Sequence, residues 1–464
     1  MSDERDWGAE AEREAEIRLP WSHSHRPLPR RVVRPLADFL QTEISSGILL
    51  LAAATVALVW ANSPWWETYV RFWHVTFTVR LGNLVIAQDL QHWINDALMT
   101  FFFLVVGLEI KRELTTGELR DPKRAVLPAI AALGGMVLPA LIYLSLNAGG
   151  EGAVGWGIPI ATDIAFALGV LTLAARGAPP GLKLFLLTLA IVDDIGAIVI
   201  ITLFYSEGVA ALPLLAAVGI VVAIVLLQRI HVRATAVYAV LGAGLWLALF
   251  ESGIEAAIAG VVLALLTPAV PFQRPKAVSE EARRVADETV DDPRPPDADA
   301  ASWLYLNRLT REAVSPIGRI EPGLHHFTSL IVIPLFALAN AGVRVTGGLL
   351  SSVAREPVAL GIVLGLVLAK VVGKLVGVSV ATVGAERLGL GRLPPGARGR
   401  DVLGLGAVAG IGFTVSLFIA DLAFSKGMLL DAAKVGILLA SVTAGVLGTV
   451  IFRLPRRGRR AAAP

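Results

Sequence analysis

The chain predicts an all-α polytopic membrane protein, and three observations carry that fold class. Its 464 residues are 55% hydrophobic and only 17% charged, with a mean hydropathy of +0.68, which a soluble domain of this size would not show. The apolar residues are gathered in runs close to the ~20 residues that cross a bilayer. The basic residues are gathered between those runs, on alternate sides.

Twelve stretches of spanning length lie near 46–62, 93–110, 125–146, 157–175, 182–205, 209–228, 233–250, 255–270, 324–343, 358–383, 402–424 and 434–452. An even count puts both termini on one side. That side carries 33 of the 41 Lys and Arg residues, against five on the other and three within spans. The bias predicts cytoplasmic termini. It also accounts for the basic balance without nucleic acid, because the formal net charge is only +3. There is no cysteine, so neither a disulfide framework nor a thiolate metal site is available.

In order, the chain divides into a polar cytoplasmic tail (1–44) with no cleavable signal pattern, and a first membrane half (45–270) of spans one to eight. A linker (271–323) rich in Pro, Asp, Glu and Arg reads as a flexible cytoplasmic tether. A second half (324–453) of spans nine to twelve and a basic tail (454–464) complete it. Between spans one and two, Val75 to Ile86 alternates apolar and polar residues around Gly82-Asn83, a β-hairpin signal outside the membrane. A two-stranded ribbon is marginal alone, so it finds a partner surface, on its own protomer or on a second copy.

Span five places Asp193 and Asp194 in the middle of Leu189–Thr202, an otherwise apolar run. An Asp at the centre of a membrane helix costs roughly 2.5–3.5 kcal/mol, so an adjacent pair points to function. Span four, Gly155–Gly169, contains Pro159, which removes a backbone donor, and then a third acid, Asp163. Span eleven carries Gly410 and Gly412 at its centre. Both read as interrupted helices, each the middle of a triplet of spans, a pattern that suits inverted repeats and marks a transporter's ion site. Span ten supplies bases: Lys370 lies deep, and Lys374 one turn on shares its face and is expected to snorkel to the cytoplasmic headgroups. Three acids against one deep base leave a cavity of the sign that holds a cation. A carboxylate withdrawn from water can hold a proton near neutral pH, so a proton and a small metal ion compete for the same oxygens. That competition is sufficient for exchange.

The stretches Trp93–Met99, Val106–Glu113, Ala161–Phe166, Val192–Gly196, Phe336–Gly342 and Gly410–Thr414 carry a specific likeness. In that order, between about Ser45 and Arg453, the chain resembles the NhaA-type sodium/proton antiporters. The resemblance implies a secondary active transporter of the bacterial cytoplasmic (inner) membrane. It would exchange cytoplasmic Na+ or Li+ for external protons in pH and sodium homeostasis, with no enzymatic activity and no cofactor. It implies that Asp193 and Asp194 form the sodium and proton site, with Asp194 the primary ion ligand and Asp193 exchanging its proton or its bond to Lys370. By the same resemblance Asp163 balances the positive helix ends where spans four and eleven cross, Lys370 balances the negative ends, and Thr162 lies beside the crossing. Glu109, Arg112, Glu113 and Glu321 match charged positions that set the response to pH, and Asp96 matches an acid of span two. The hairpin near Gly82-Asn83 matches the family's dimerisation element, which implies a homodimer.

The chain also departs from the pattern. Glu255 and Pro322 stand where histidines are expected, although His325 and His326 follow. Two rivals are weighed beside the antiporter. A sodium-coupled organic-anion symporter would need polar substrate contacts beside the ion site, and Lys370 is the only deep one expected. An intramembrane aspartyl protease could pair Asp163 with Asp193, but its Gly-x-Gly-Asp pattern is missing, because Gly410-Ile-Gly412 runs into Phe413.

Overall fold

The computed structural model describes residues 43–82, 84–175, 179–206, 208–290, 300–424 and 427–454. The two tails almost entirely, the central Pro-rich part of the linker (291–299) and Asn83 of the hairpin turn lie outside the described residues.

The described chain is helical apart from one hairpin. Helix α1 (Glu43–Ala61) turns by 117° into the short α2 (Trp66–Trp73). Strands β1 (Thr76–Leu81) and β2 (Leu84–Asp89) follow and pair antiparallel from Thr76 opposite Asp89 to Leu81 opposite Leu84. Gly82 adopts a φ of 61° in the connection, the left-handed conformation that a two-residue hairpin turn demands. Asp89 then caps the next helix by accepting from His92 N at 2.9 Å. That helix is α3 (Leu90–Thr115), followed by α4 (Pro122–Asn147), α5 (Ile164–Ala174), α6 (Pro180–Phe204), α7 (Ala211–Arg229), α8 (Thr235–Ser252) and α9 (Ile258–Leu266).

The stretch expected to be a flexible tether contains two helices, α10 (Pro275–Val290) and α11 (Ala300–Glu312). Next come α12 (Pro316–Asn340), which begins eight residues before the expected span nine, α13 (Gly347–Arg355) and α14 (Pro357–Arg387). The chain closes with α15 (Gly399–Ala409), α16 (Phe413–Ala423) and α17 (Met428–Arg453).

Among the described residues eight helices are long and apolar enough to cross a membrane, or up to ten if each bent pair counts as one. The two shortfalls from twelve have physical reasons. In span four only α5 is regular α-helix, because a tight 3-10 segment (Glu151–Gly157) precedes Pro159 and the chain has no regular structure at 161–163, where Asp163 is extended. Span eight holds only the nine residues of α9, wedged against α3. A Cβ added at Gly260 would come within 2.7 Å of Leu104 N, so a glycine is what permits that approach.

Three spans contain a π-helical turn: Ile94–Leu98 in α3, Thr328–Val332 in α12 and Ala369–Gly373 in α14. Each re-aims the side chains that follow it, and such turns recur at functional sites. The interruption of span eleven lies at the centre of the bundle, where every residue from Gly404 to Ala420 is buried. Backbone can leave the helix at that depth because protein, not lipid, surrounds it.

Candidate functional site

The two interrupted spans meet. Asp163 N donates to Ile411 O at 2.7 Å, and Ser416 Oγ to Ile158 O at 2.9 Å. Helices α5 and α16 therefore begin at the same place, and Asp163 serves both starts. Its Oδ1 accepts from Phe166 N at 3.1 Å, while its Oδ2 accepts from Thr414 N at 3.1 Å and from Thr414 Oγ1 at 2.7 Å. One carboxylate thus faces two positive helix ends.

The opposite polarity is met by Lys370, fully buried in the π-turn of α14, whose Nζ donates to Ala161 O at 3.1 Å. Gly412 makes room for it, since a Cβ there would collide with Lys370 Nζ and stand 2.7 Å from Ser416 Oγ.

Lys370 does not bond Asp193. Lys374 does: its Nζ donates to Asp193 Oδ2, and both side chains are fully buried. Two expectations are thereby corrected. Lys374 does not snorkel to the headgroups, and Asp193 takes its ion pair from Lys374 instead of Lys370. The π-turn separates the two lysines, so that residues four apart, which a regular helix would set on one face, serve different partners.

Thr162 ties the two groups together. Its hydroxyl lies 2.6 Å from Asp193 Oδ2 and 2.9 Å from Ala409 O as a donor, and accepts from Lys374 Nζ at 3.1 Å. Its single proton can satisfy only one of its two acceptors at a time.

Asp194 is 5% exposed on the next position of α6. Asp193 Oδ1 and Asp194 Oδ1 are both buried with no hydrogen-bond partner. Orphaned carboxylate oxygens at this depth are costly unless a proton or a cation takes them. With Lys374 buried, three acids face two bases, so the cluster bears one formal negative charge when all five groups are ionised. A single monovalent cation neutralises it. Among the described residues no three His, Cys, Asp or Glu side chains converge as a metal cage would. Hard oxygen donors in small number suit a small alkali ion that has to leave again.

The charged residues expected to respond to pH divide. Arg112 and Glu321 form an ion pair, and His325 Nδ1 lies 3.4 Å from Glu109 Oε1, so α3 and α12 are bridged twice. Glu113 stands apart, accepting at 2.9 Å from the backbone N of Glu118, which lies just beyond the end of α3. His325 was not singled out for a role, although it sits one helical turn beyond Glu321, the spacing that puts both on one face.

Asp96 does not join the acid pair. It lines a cavity of about 360 Å³ with His92, Asn95, Glu255 and Asp421, near the opposite end of α3 from Arg112. Asp421 accepts from Asn95 Nδ2 at 2.5 Å, and Asn340 Nδ2 donates to Asn95 Oδ1 at 2.8 Å. Asn95 and Asn340 lie in two of the motifs that carried the resemblance, yet nothing in their spacing foretold that they meet.

Comparison with known proteins follows the same line. Residues 37–452 match the family described as Na+/H+ antiporter 1. The chain is 47% identical to the Na(+)/H(+) antiporter NhaA of Anaeromyxobacter sp. (strain Fw109-5), over 94% of this chain and 95% of that one. It is 44% identical to an NhaA of Sorangium cellulosum, over 93% and 92% of the two chains. The identity is also 44% to an NhaA of Frankia alni, over 91% and 89%.

Proposed function

The chain belongs to the Na+/H+ antiporter 1 family and exchanges sodium for protons as a multi-pass bacterial membrane protein, and from that premise we propose that Asp193 and Asp194 are its exchange site. The observation that carries the proposal is a pair of neighbouring buried carboxylates, each with one unpartnered oxygen, of which only Asp193 is held by a lysine. Asp194 is the primary ion ligand. Asp193 answers it by exchanging its bond to Lys374 for the cation, and regains that bond or takes a proton once the cation leaves. Thr162 follows the exchange, because its hydroxyl can turn from Asp193 to Ala409 O.

Asp163 and Lys370 hold the crossing together through their hydrogen bonds while the pair is loaded and unloaded. The Asp163 carboxylate has both oxygens engaged by helix starts, which also removes it as the second acid of a protease. No resident cofactor takes part; Na+ or Li+ and H+ are cargo.

The distribution of Lys and Arg supports cytoplasmic termini. Arg112, Glu321, Glu109 and His325 then lie on the cytoplasmic side, and the cavity beside Asp96 opens on the other. We assign the response to pH to the first group, with His325 in the part that Glu113 does not play. The exposed apolar residues of the hairpin, Phe77, Val79 and Val85, support its use as a homodimer contact.

In everted membrane vesicles, Na+ should dissipate a respiration-generated ΔpH through the wild-type protein. Asp194→Asn, present in equal amount, should abolish that response, and a full response would remove Asp194 from the site.

A further inference from the structure

Helix α11 leaves three consecutive large residues in the open, Trp303 at 47%, Leu304 at 67% and Tyr305 at 49% exposed. Most other exposed apolar side chains of the described residues belong to the spans, whereas α11 lies in the segment between two spans. Its packed face is accounted for: Leu306 is buried and Leu309 half-buried, on the side shared with α10, where Val278 and Val285 are buried. At 100° per residue, Leu304, Arg308 and Arg311 lie on the opposite face, with Trp303 and Tyr305 flanking Leu304 on either side. Both arginines are exposed.

The foot of α11 is fixed at the level where spans end. Glu312 O accepts from Phe272 N at 3.1 Å and Gln273 N at 3.0 Å, and the Glu312 carboxylate pairs with Arg233 between α7 and α8. The Arg233 guanidinium covers the Phe272 ring at 3.4 Å from its centroid. Around this root Ile230, Val270 and Phe272 are exposed, continuing the lipid-facing surface of α7 and α9. Trp303 stands about 14 Å along the helix from Glu312 at 1.5 Å per residue.

From this arrangement we infer that α11 lies along the cytoplasmic leaflet as an interfacial helix, its Trp303-Leu304-Tyr305 patch at the boundary between headgroups and acyl chains and its Arg308 and Arg311 on anionic headgroup phosphates. Trp and Tyr are the residues that settle at a bilayer interface, and each basic group near an anionic leaflet adds binding that salt weakens. The helix is rooted at the bilayer-facing surface by Glu312, and the face that bears Leu304 carries two exposed arginines, which is why the occupant is an anionic lipid surface and not a second copy of the chain. The inference rests on the cytoplasmic placement of this end.

The chain has no native cysteine, so Leu304→Cys can carry a single nitroxide in the full-length protein, with transport confirming its fold. In vesicles containing phosphatidylglycerol the label should collide with oxygen more than with a water-soluble nickel chelate, and an Arg308→Gln/Arg311→Gln background should reverse that preference. A label at Arg283→Cys on α10 should remain aqueous. An aqueous Leu304 label in every vesicle would overturn the inference, as would an unchanged depth without the arginines. Spin–spin broadening from the label on a second copy would overturn it in favour of a protein contact. An impermeant maleimide applied to intact cells reads the side separately: reaction at Leu304→Cys would contradict the cytoplasmic placement itself.

Discussion

Lys374 Nζ donates to Asp193 Oδ2 in the interior of the helix bundle, and neither side chain has any exposed surface. A bond of this kind holds its place only while both partners are present, because losing one leaves a charge uncompensated in a medium that cannot solvate it. The adjacent Asp194 has no such partner, so in the proposed exchange a cation reaching Asp194 would meet a neighbour whose bond can be given up.

Removing the lysine should therefore cost more than removing the pair. Lys374→Met is expected to lower stability by on the order of 3–5 kcal/mol, the range for breaking a buried ion pair. Lys374→Met/Asp193→Asn should recover most of that loss without recovering transport. Thermal unfolding of the purified variants measures both, and equal melting temperatures for the single and double variants would contradict the pairing.

Asp163 caps two helix starts with one carboxylate. Asp163→Ala should remove both caps and cost about 1–2 kcal/mol for each. Asp163→Asn keeps an acceptor and should lose less stability, yet it removes the negative charge that faces the two helix ends, so transport should fall in both variants. Melting temperature and Na+ uptake read the two effects apart.

His325 faces Glu109 across the gap between α3 and α12. A histidine–glutamate bridge is strongest when the imidazole is protonated, so it is fully present at acid pH and fades as pH rises through the titration of the histidine. If the bridge holds the transporter in its resting form, His325→Gln should move the onset of activity towards lower pH and leave the maximal rate unchanged. Dequenching measured across pH tests this, and an unmoved profile would remove His325 from the response.

The hairpin carries an apolar surface outside the helix bundle. Deleting residues 75–86 should leave transport measurable and weaken the proposed dimer on native electrophoresis. An unchanged dimer would place the interface elsewhere.

Much of the candidate site was legible in the sequence because buried charge is rare in apolar spans. Asp193, Asp194 and Asp163 stand out by that rule alone, and Pro159 with Gly410 and Gly412 announce both interruptions. The hairpin was equally plain from its period of two. The partner of Asp193 was not legible, since a π-turn at Ala369–Gly373 shows no compositional mark and reassigns which lysine reaches the acid. Asp421 looked like an isolated acid until the fold brought Asn95, 326 residues earlier, against it. The helices α10 and α11 were hidden by a charged, Pro-rich surrounding whose average composition resembles a tether. Short spans such as α9 are likewise set by close packing at Gly260, which hydropathy does not register.

Proton release on sodium binding tests the central claim most directly, because a site that holds either protons or Na+ has to give up one to take the other. Purified protein in weakly buffered detergent solution should acidify the medium when NaCl is added and not when choline chloride is added. Asp193→Asn/Asp194→Asn should release no protons under the same conditions. Release of the wild-type amount by that double variant would contradict the assignment of exchange to the acid pair.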